Sequence, residues 1–124
     1  MKNIAYGLIA MVLSAALIGC DPSPSELRTT AISEFQVGHN QKAEELFQRV
    51  IDKYPADADS WYYMGRIAHA DKKYERALYC YQCAIDADPG YEPAKYWLKK
   101  AQADAGDVAN YLNIIPKAVD KPLP

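Results

Sequence analysis

Apolar residues recur three or four positions apart along the middle of the chain, which is the spacing of one face of an α-helix. Between these stretches stand residues that end helices, namely Gly38, Pro55, Pro89 and Gly106. The pattern predicts five helices, over residues 24–36, 40–53, 58–70, 74–87 and 92–104. It also predicts a short sixth helix over residues 108–114. Residues 116–124 hold three prolines and no apolar period, which predicts a disordered tail.

The first helix has a strong start signal. Ser23 can cap the helix, Pro24 suits the first helical position, and Glu26 stands where the carboxylate of a capping box is expected. The chain therefore enters its first helix only three residues after Cys20.

Large and small residues repeat at a fixed offset of 34 positions. The matched pairs are Leu27 and Trp61, Ala31 and Gly65, Ala43 and Ala77, Phe47 and Tyr81, Ile51 and Ile85, and Pro55 and Pro89. A period of this length indicates stacked repeats, in which each unit covers the apolar face of its neighbour. A large side chain on one helix can enter a neighbouring helix surface only where a small residue leaves room, and these pairs keep that arrangement.

The second unit resembles the tetratricopeptide repeat, a helix-turn-helix unit of 34 residues. The resemblance is carried by Trp61-x-x-Met64-Gly65 followed by Ala77, Tyr81, Ala84 and Pro89. It implies an all-α, right-handed superhelical array with one unit over residues 24–57 and a second over residues 58–91. Repeats of this family bind other polypeptides, so the resemblance favours a protein-binding adaptor over an enzyme.

The third unit, over residues 92–115, departs from the pattern. Lys95 stands in the column of Leu27 and Trp61, and Lys99 stands in the column of Ala31 and Gly65. A polar face on the last helix is what a repeat stack needs at its end. The sequence therefore predicts two full repeats and a capping helix. Because about three units are normally needed for stability, self-association is an alternative source of burial.

In this family the first helices of successive units line a concave groove that holds a partner peptide. The resemblance implies that the groove is lined by Arg28, Ile32, Phe35, Tyr62, Arg66, His69, Tyr96 and Lys100. The alternative is that the tyrosines pack on each other and the cations are solvated. One subtype clamps a C-terminal carboxylate with Lys, Arg and Asn, but no Asn stands in these columns. The groove should still prefer an acidic or C-terminal segment to a basic one.

The N-terminus predicts export and lipid attachment. Residues 4–19 carry no charge after Lys2, which is typical of a secretory signal. Leu17-Ile18-Gly19-Cys20 resembles the lipobox of bacterial lipoproteins. The resemblance implies that residues 1–19 are removed and that Cys20 carries a diacylglycerol and a further acyl chain such as palmitate, with residues 20–23 as tether. An ordinary signal peptide or an uncleaved anchor is the alternative.

Asp21 resembles the inner-membrane retention signal of enterobacterial lipoproteins, which would place the domain on the periplasmic side of the inner membrane in a Gram-negative cell. The whole chain has a net charge of −2. Loss of the signal peptide removes one lysine, leaving −3. No dense basic stretch suggests nucleic acid or anionic lipid as a partner.

The cysteines suggest the remaining alternatives to a protein-binding adaptor. Cys80 and Cys83 form a C-x-x-C in the middle of a predicted helix, away from the helix N-terminus that activates thiols. The offset predicts that Cys80 is buried and that Cys83 is a surface thiol. We expect no enzyme, cofactor or metal site. The alternatives are a self-associating structural lipoprotein, with Cys83 as an intermolecular disulfide, or a thiol or metal lipoprotein using both cysteines.

Overall fold

The computed structural model of the chain describes residues 19–106. They form the helices α1 Pro24–Gln36, α2 Asn40–Lys53, α3 Ala58–Ala70, α4 Tyr74–Ala87 and α5 Glu92–Ala105, with no strand in that range. None of these helices is long and apolar enough to cross a membrane. The first 18 residues of the predicted signal peptide, the predicted sixth helix and the predicted tail lie outside the described residues.

The helix ends follow the local chemistry of the sequence. At the start of α1 the backbone N–H of Ser23 donates to the Glu26 carboxylate (2.7 Å) and the N–H of Glu26 donates to the Ser23 hydroxyl (3.3 Å), which confirms the capping box. Asp57 caps α3 by accepting the N–H of Ser60 at 3.0 Å. Gly38 takes a φ of +86°, a left-handed conformation that favours glycine and turns the chain from α1 into α2.

Each helix packs against the next one along the chain. In addition the backbones of α1 and α3, and those of α3 and α5, come close to each other, whereas α2 and α4 meet through side chains, in the ion pair of Glu44 and Arg76. The row of α1, α3 and α5 is therefore the tighter side of the stack, which makes that side concave. This confirms the predicted helix-turn-helix stack.

The core of the second unit depends on one close approach. Gly65 of α3 faces the fully buried ring of Tyr81 of α4, and a Cβ placed on Gly65 would lie 2.5 Å from that ring. The predicted pairing of a small residue with a large one is thus confirmed at this point. Phe47 fills the corresponding space in the first unit beside the fully buried Ala31 and Ala43.

Helix α5 buries positions that stand 34 residues after the buried Ser60 and Ile67 of α3. Ala94 and Ala101 are fully buried, and Trp97 and Leu98 pack partly against the same core. Lys99 is exposed. The burial of α5 is therefore built mainly from alanines, which let the helix lie close to its neighbours.

Polar contacts join successive first helices. Arg28 of α1 forms an ion pair with Asp57 at the start of α3, and His69 of α3 contacts Asp104 of α5 at 2.7 Å. The hydroxyl of Tyr91 donates to Asp59 at 2.6 Å. Burial and this hydrogen bond raise the pKa of Tyr91, so the phenol remains protonated and keeps donating.

Candidate binding surface

One cation on the concave side is surrounded by aromatic rings from all three first helices. The guanidinium carbon of Arg66 in α3 lies 3.6 Å from the ring centroid of Trp97 in α5. It lies 5.8 Å from the rings of Phe35 in α1 and Tyr62 in α3. Its Nη1 donates to the Tyr62 hydroxyl at 2.8 Å. These contacts hold the guanidinium plane against the indole face.

A second cation and an exposed ring extend this surface. The ammonium of Lys100 lies 5.9 Å from the Trp97 ring, and the ring of Tyr96, 64% exposed, meets Trp97 edge to face at 5.8 Å. Within residues 19–106 neither Arg66 nor Lys100 forms an ion pair with a carboxylate. We call Phe35, Arg66, Tyr96, Trp97 and Lys100 the Arg66–Trp97 patch.

The structure brings only part of the predicted groove together. Phe35, Arg66, Tyr96 and Lys100 belong to the Arg66–Trp97 patch. Arg28 is held by Asp57, and Ile32 is partly buried against the core.

Tyr62 was predicted to line the groove, but its side chain is only 9% exposed. Its ring packs between those of Tyr63 and Tyr91, at centroid distances of 5.0 and 5.6 Å. What Tyr62 offers the concave side is its hydroxyl oxygen, which is occupied by Arg66. Tyr62 therefore positions the cation instead of presenting a ring to a partner.

His69 was also predicted to line the groove and is likewise only 9% exposed. Its ring is enclosed by those of Tyr74, Tyr81 and Trp97, at centroid distances of 5.7, 6.3 and 5.5 Å. Its Nε2 contacts the Asp104 carboxylate. His69 thus fastens α5 to α3 and keeps Trp97 in place beneath Arg66.

Sequence reasoning missed Trp97. This residue stands 34 positions after Tyr63, whose ring stacks on Phe47 at 5.3 Å with the planes 2° apart. The repeat period could have indicated it, because aromatic residues occupy this column in two successive units. The signal is incomplete, since Thr29 fills this column in the first unit.

Both cysteines of the C-x-x-C are poor nucleophiles. Burial raises the pKa of Cys80 to about 12 and also raises the pKa of Cys83. Cys80 is buried as predicted, whereas Cys83 is half-buried against the core beside Tyr79 and is not the surface thiol that was predicted. Residues 19–106 contain no group of three His, Cys, Asp or Glu side chains that could hold a metal ion.

We expect the two thiols of a Cys20→Ser protein to react slowly with an aromatic disulfide reagent at pH 7.5, Cys80 more slowly than Cys83. The reason is that the thiolate reacts, and a raised pKa lowers its fraction, so the rates should rise with pH. Thiol release can be followed by absorbance, with Cys83→Ser assigning the phases and denaturant exposing both thiols. A fast native thiol at pH 7.5 would contradict this assignment and favour a redox role.

A family model described as Tetratricopeptide repeat matches residues 28–92, more than half of the 124 residues. Repeats of this kind are in general non-catalytic modules that bind other proteins. Among curated proteins none matches the chain. The matched range includes Phe35 and Arg66 and ends before Trp97 and Lys100.

Proposed function

Because the chain belongs to the tetratricopeptide repeat family, we propose that it binds an acidic segment of another protein through the Arg66–Trp97 patch. The observation that carries this proposal is Arg66 itself. It is fixed against an indole ring at 3.6 Å and has no carboxylate partner within the described residues.

A stacked guanidinium suits a carboxylate ligand. Stacking covers the face of the guanidinium and leaves its edge for in-plane hydrogen bonds, and Arg–carboxylate pairs are often bidentate. Nη1 is engaged by Tyr62, so the remaining N–H groups are the ones available to a ligand. Lys100, whose ammonium lies 5.9 Å from the Trp97 ring, supplies a second positive charge. A C-terminal carboxylate or an Asp or Glu side chain fits this arrangement.

The neighbouring rings define the rest of the ligand. Phe35 and the exposed ring of Tyr96 flank the two cations and can contact an apolar side chain next to the carboxylate. The ligand is therefore a short acidic segment that carries at least one apolar residue.

The proposal includes a lipid anchor at Cys20. It is supported by the Leu17-Ile18-Gly19-Cys20 sequence, by the exposure of Cys20, and by the short distance along the chain to the helix cap at Ser23. Two or three acyl chains give stable anchoring, whereas one is marginal. An anchored adaptor on the extracytoplasmic face would raise the local concentration of its partner at the membrane. Asp21 favours the inner membrane in a Gram-negative cell.

Binding can be tested with three fluorescent peptides of the same length: one acidic with a free C-terminus, one acidic with an amidated C-terminus, and one basic. We expect the free acidic peptide to bind most tightly and the basic peptide least, as measured by fluorescence anisotropy. Affinity should fall as salt is raised, because the exposed charges are screened.

Arg66→Gln should weaken binding of the free acidic peptide about tenfold or more, since a hydrogen bond to a charged group contributes ~1.5–3 kcal/mol. Arg49→Gln is the matched control, because Arg49 is an exposed cation on α2, away from the patch. Equal binding of the basic peptide, or unchanged affinity in Arg66→Gln, would show that the patch is not the site.

A further inference from the structure

Because successive helices run in opposite directions, the stack has two edges, each formed by a defined set of helix termini. The N-termini of α1, α3 and α5 and the C-termini of α2 and α4 lie at one edge of the stack. This edge, which we call the tether edge, consists of residues 23–25, 53–57 and 88–91. The opposite edge consists of residues 37–39 and 71–73.

The tether edge is the one connected to Cys20. Pro24 comes four positions after Cys20, and a chain of four residue steps spans at most ~14 Å. This step rests on the lipid anchor proposed above. If Cys20 is anchored, the start of α1 cannot leave the membrane surface by more than that distance.

The surface of the tether edge differs from that of the opposite edge. A shallow groove there is lined by the apolar residues Pro24, Val50, Tyr54, Pro55 and Ala56, by Ser25 and Lys53, and by the paired Arg28 and Asp57; Tyr54 is 58% exposed. On the opposite edge the loop at residues 71–73 is Asp-Lys-Lys, the groove beside Gly38 is lined by polar residues, and the exposed apolar residue is Val37, which is not aromatic. Tyrosine is enriched at membrane–water interfaces, where its ring meets the acyl boundary and its hydroxyl stays in water.

We propose that the tether edge rests on the bilayer, with Tyr54 and Pro55 at headgroup level. The charges of this edge decide the kind of lipid. Lys53 is outnumbered by exposed acidic residues nearby, namely Asp21, Glu26, Asp52 and Asp88. An anionic surface would repel them, so the occupant is a bilayer of neutral, zwitterionic phospholipid.

This orientation sets the height of the Arg66–Trp97 patch. Arg66 comes eight residues after Ala58, where α3 begins, and Lys100 comes eight residues after Glu92, where α5 begins. At 1.5 Å per residue both cations stand ~12 Å above the tether edge. With the tether edge on the bilayer the patch stays close to the membrane surface, so the segment it binds is a juxtamembrane one.

The orientation can be measured on the full lipidated protein in phosphatidylcholine nanodiscs that contain a lipid with a gadolinium-chelate headgroup. We expect paramagnetic broadening to be stronger at the amides of Tyr54 and Gly90 than at those of Gly38 and Lys72. Equal broadening at both edges, or the reverse order, would overturn the orientation while leaving the anchor intact. Protein that fails to associate with the nanodiscs at all would overturn the anchor and the orientation together.

Two variants test whether Tyr54 itself contacts the bilayer. Tyr54→Ser should reduce the difference in broadening between the two edges at least twofold, because the ring that enters the interface is lost. Val37→Ser is the control, since Val37 is a similarly exposed apolar residue on the opposite edge. Anionic lipid should also reduce the difference. A difference that Tyr54→Ser and anionic lipid leave unchanged would show that the tether alone orients the domain and would overturn the contact.

Discussion

Replacing Gly65 by alanine should lower the free energy of unfolding by about 1–3 kcal/mol, the cost of overpacking a filled core. The added methyl group would lie 2.5 Å from the Tyr81 ring, which is fully buried and cannot swing away. In an ordinary helix position the same change is favourable by about 1 kcal/mol, because alanine has the higher helix propensity. Gly65→Ala should therefore destabilise the protein, although helix propensity alone would make it stabilising. Urea denaturation measures this change in the free energy of unfolding.

A second substitution at the partner residue separates steric conflict from other causes. In a Tyr81→Leu background the ring is gone, so Gly65→Ala should cost much less than in the natural chain. The two substitutions should then be strongly non-additive, as expected of residues in direct contact. Additive effects, or a stabilising Gly65→Ala in the natural chain, would show that the two helices can separate to admit the methyl group.

Trp97→Leu should weaken binding of the acidic peptide more than Arg66→Gln does, by well over tenfold. Leucine keeps apolar contact with the core but lacks the flat face on which Arg66 lies and toward which Lys100 is directed. Both cations therefore lose their positions in one step. The unfolding free energy should fall by only about 1 kcal/mol, because a half-buried apolar residue replaces another.

The other tryptophan provides the control. Trp61 is buried, packs edge to face on Tyr79, and donates from its indole nitrogen to the Pro55 carbonyl at 2.7 Å. Trp61→Leu should cost more stability than Trp97→Leu, about 2–3 kcal/mol, and leave peptide affinity unchanged at a temperature where the protein is folded. If affinity followed stability in both variants, the effect at Trp97 would be a folding effect and the patch would not be the site.

Much of the fold follows from local rules in the sequence. Helix ends are set by the capping box at Ser23, the turn at Gly38, and the prolines after α2 and α4. Each of these signals affects only the backbone of residues next to it in the sequence. The fit of Gly65 to Tyr81 follows from the period, because the repeat places the same small and large columns face to face in each unit. Such features need no knowledge of distant parts of the chain.

The surface is harder to predict, because a period assigns a residue to a helix face but does not say how far a neighbouring helix covers that face. Tyr62 and His69 share the face of Arg66 by spacing, yet Tyr91 covers one and Trp97 the other. The period still holds at α5 for Ala94 and Ala101, which are buried like Ser60 and Ile67 one repeat earlier. It also gives the column of Trp97, but the stacking of Arg66 on that ring becomes visible only when α3 and α5 are packed together.

The polar contacts between successive first helices also bear on how quickly the chain can reach this structure. Arg28 and Asp57, Asp59 and Tyr91, and His69 and Asp104 are 29, 32 and 35 residues apart. Each of these contacts joins residues about one repeat apart in the sequence. Among the described helices the backbone of α1 does not approach that of α5, so folding does not require the two ends of the stack to come together. Proteins dominated by such local contacts fold in microseconds to milliseconds. The apolar faces of the helices are thus exposed only briefly during folding.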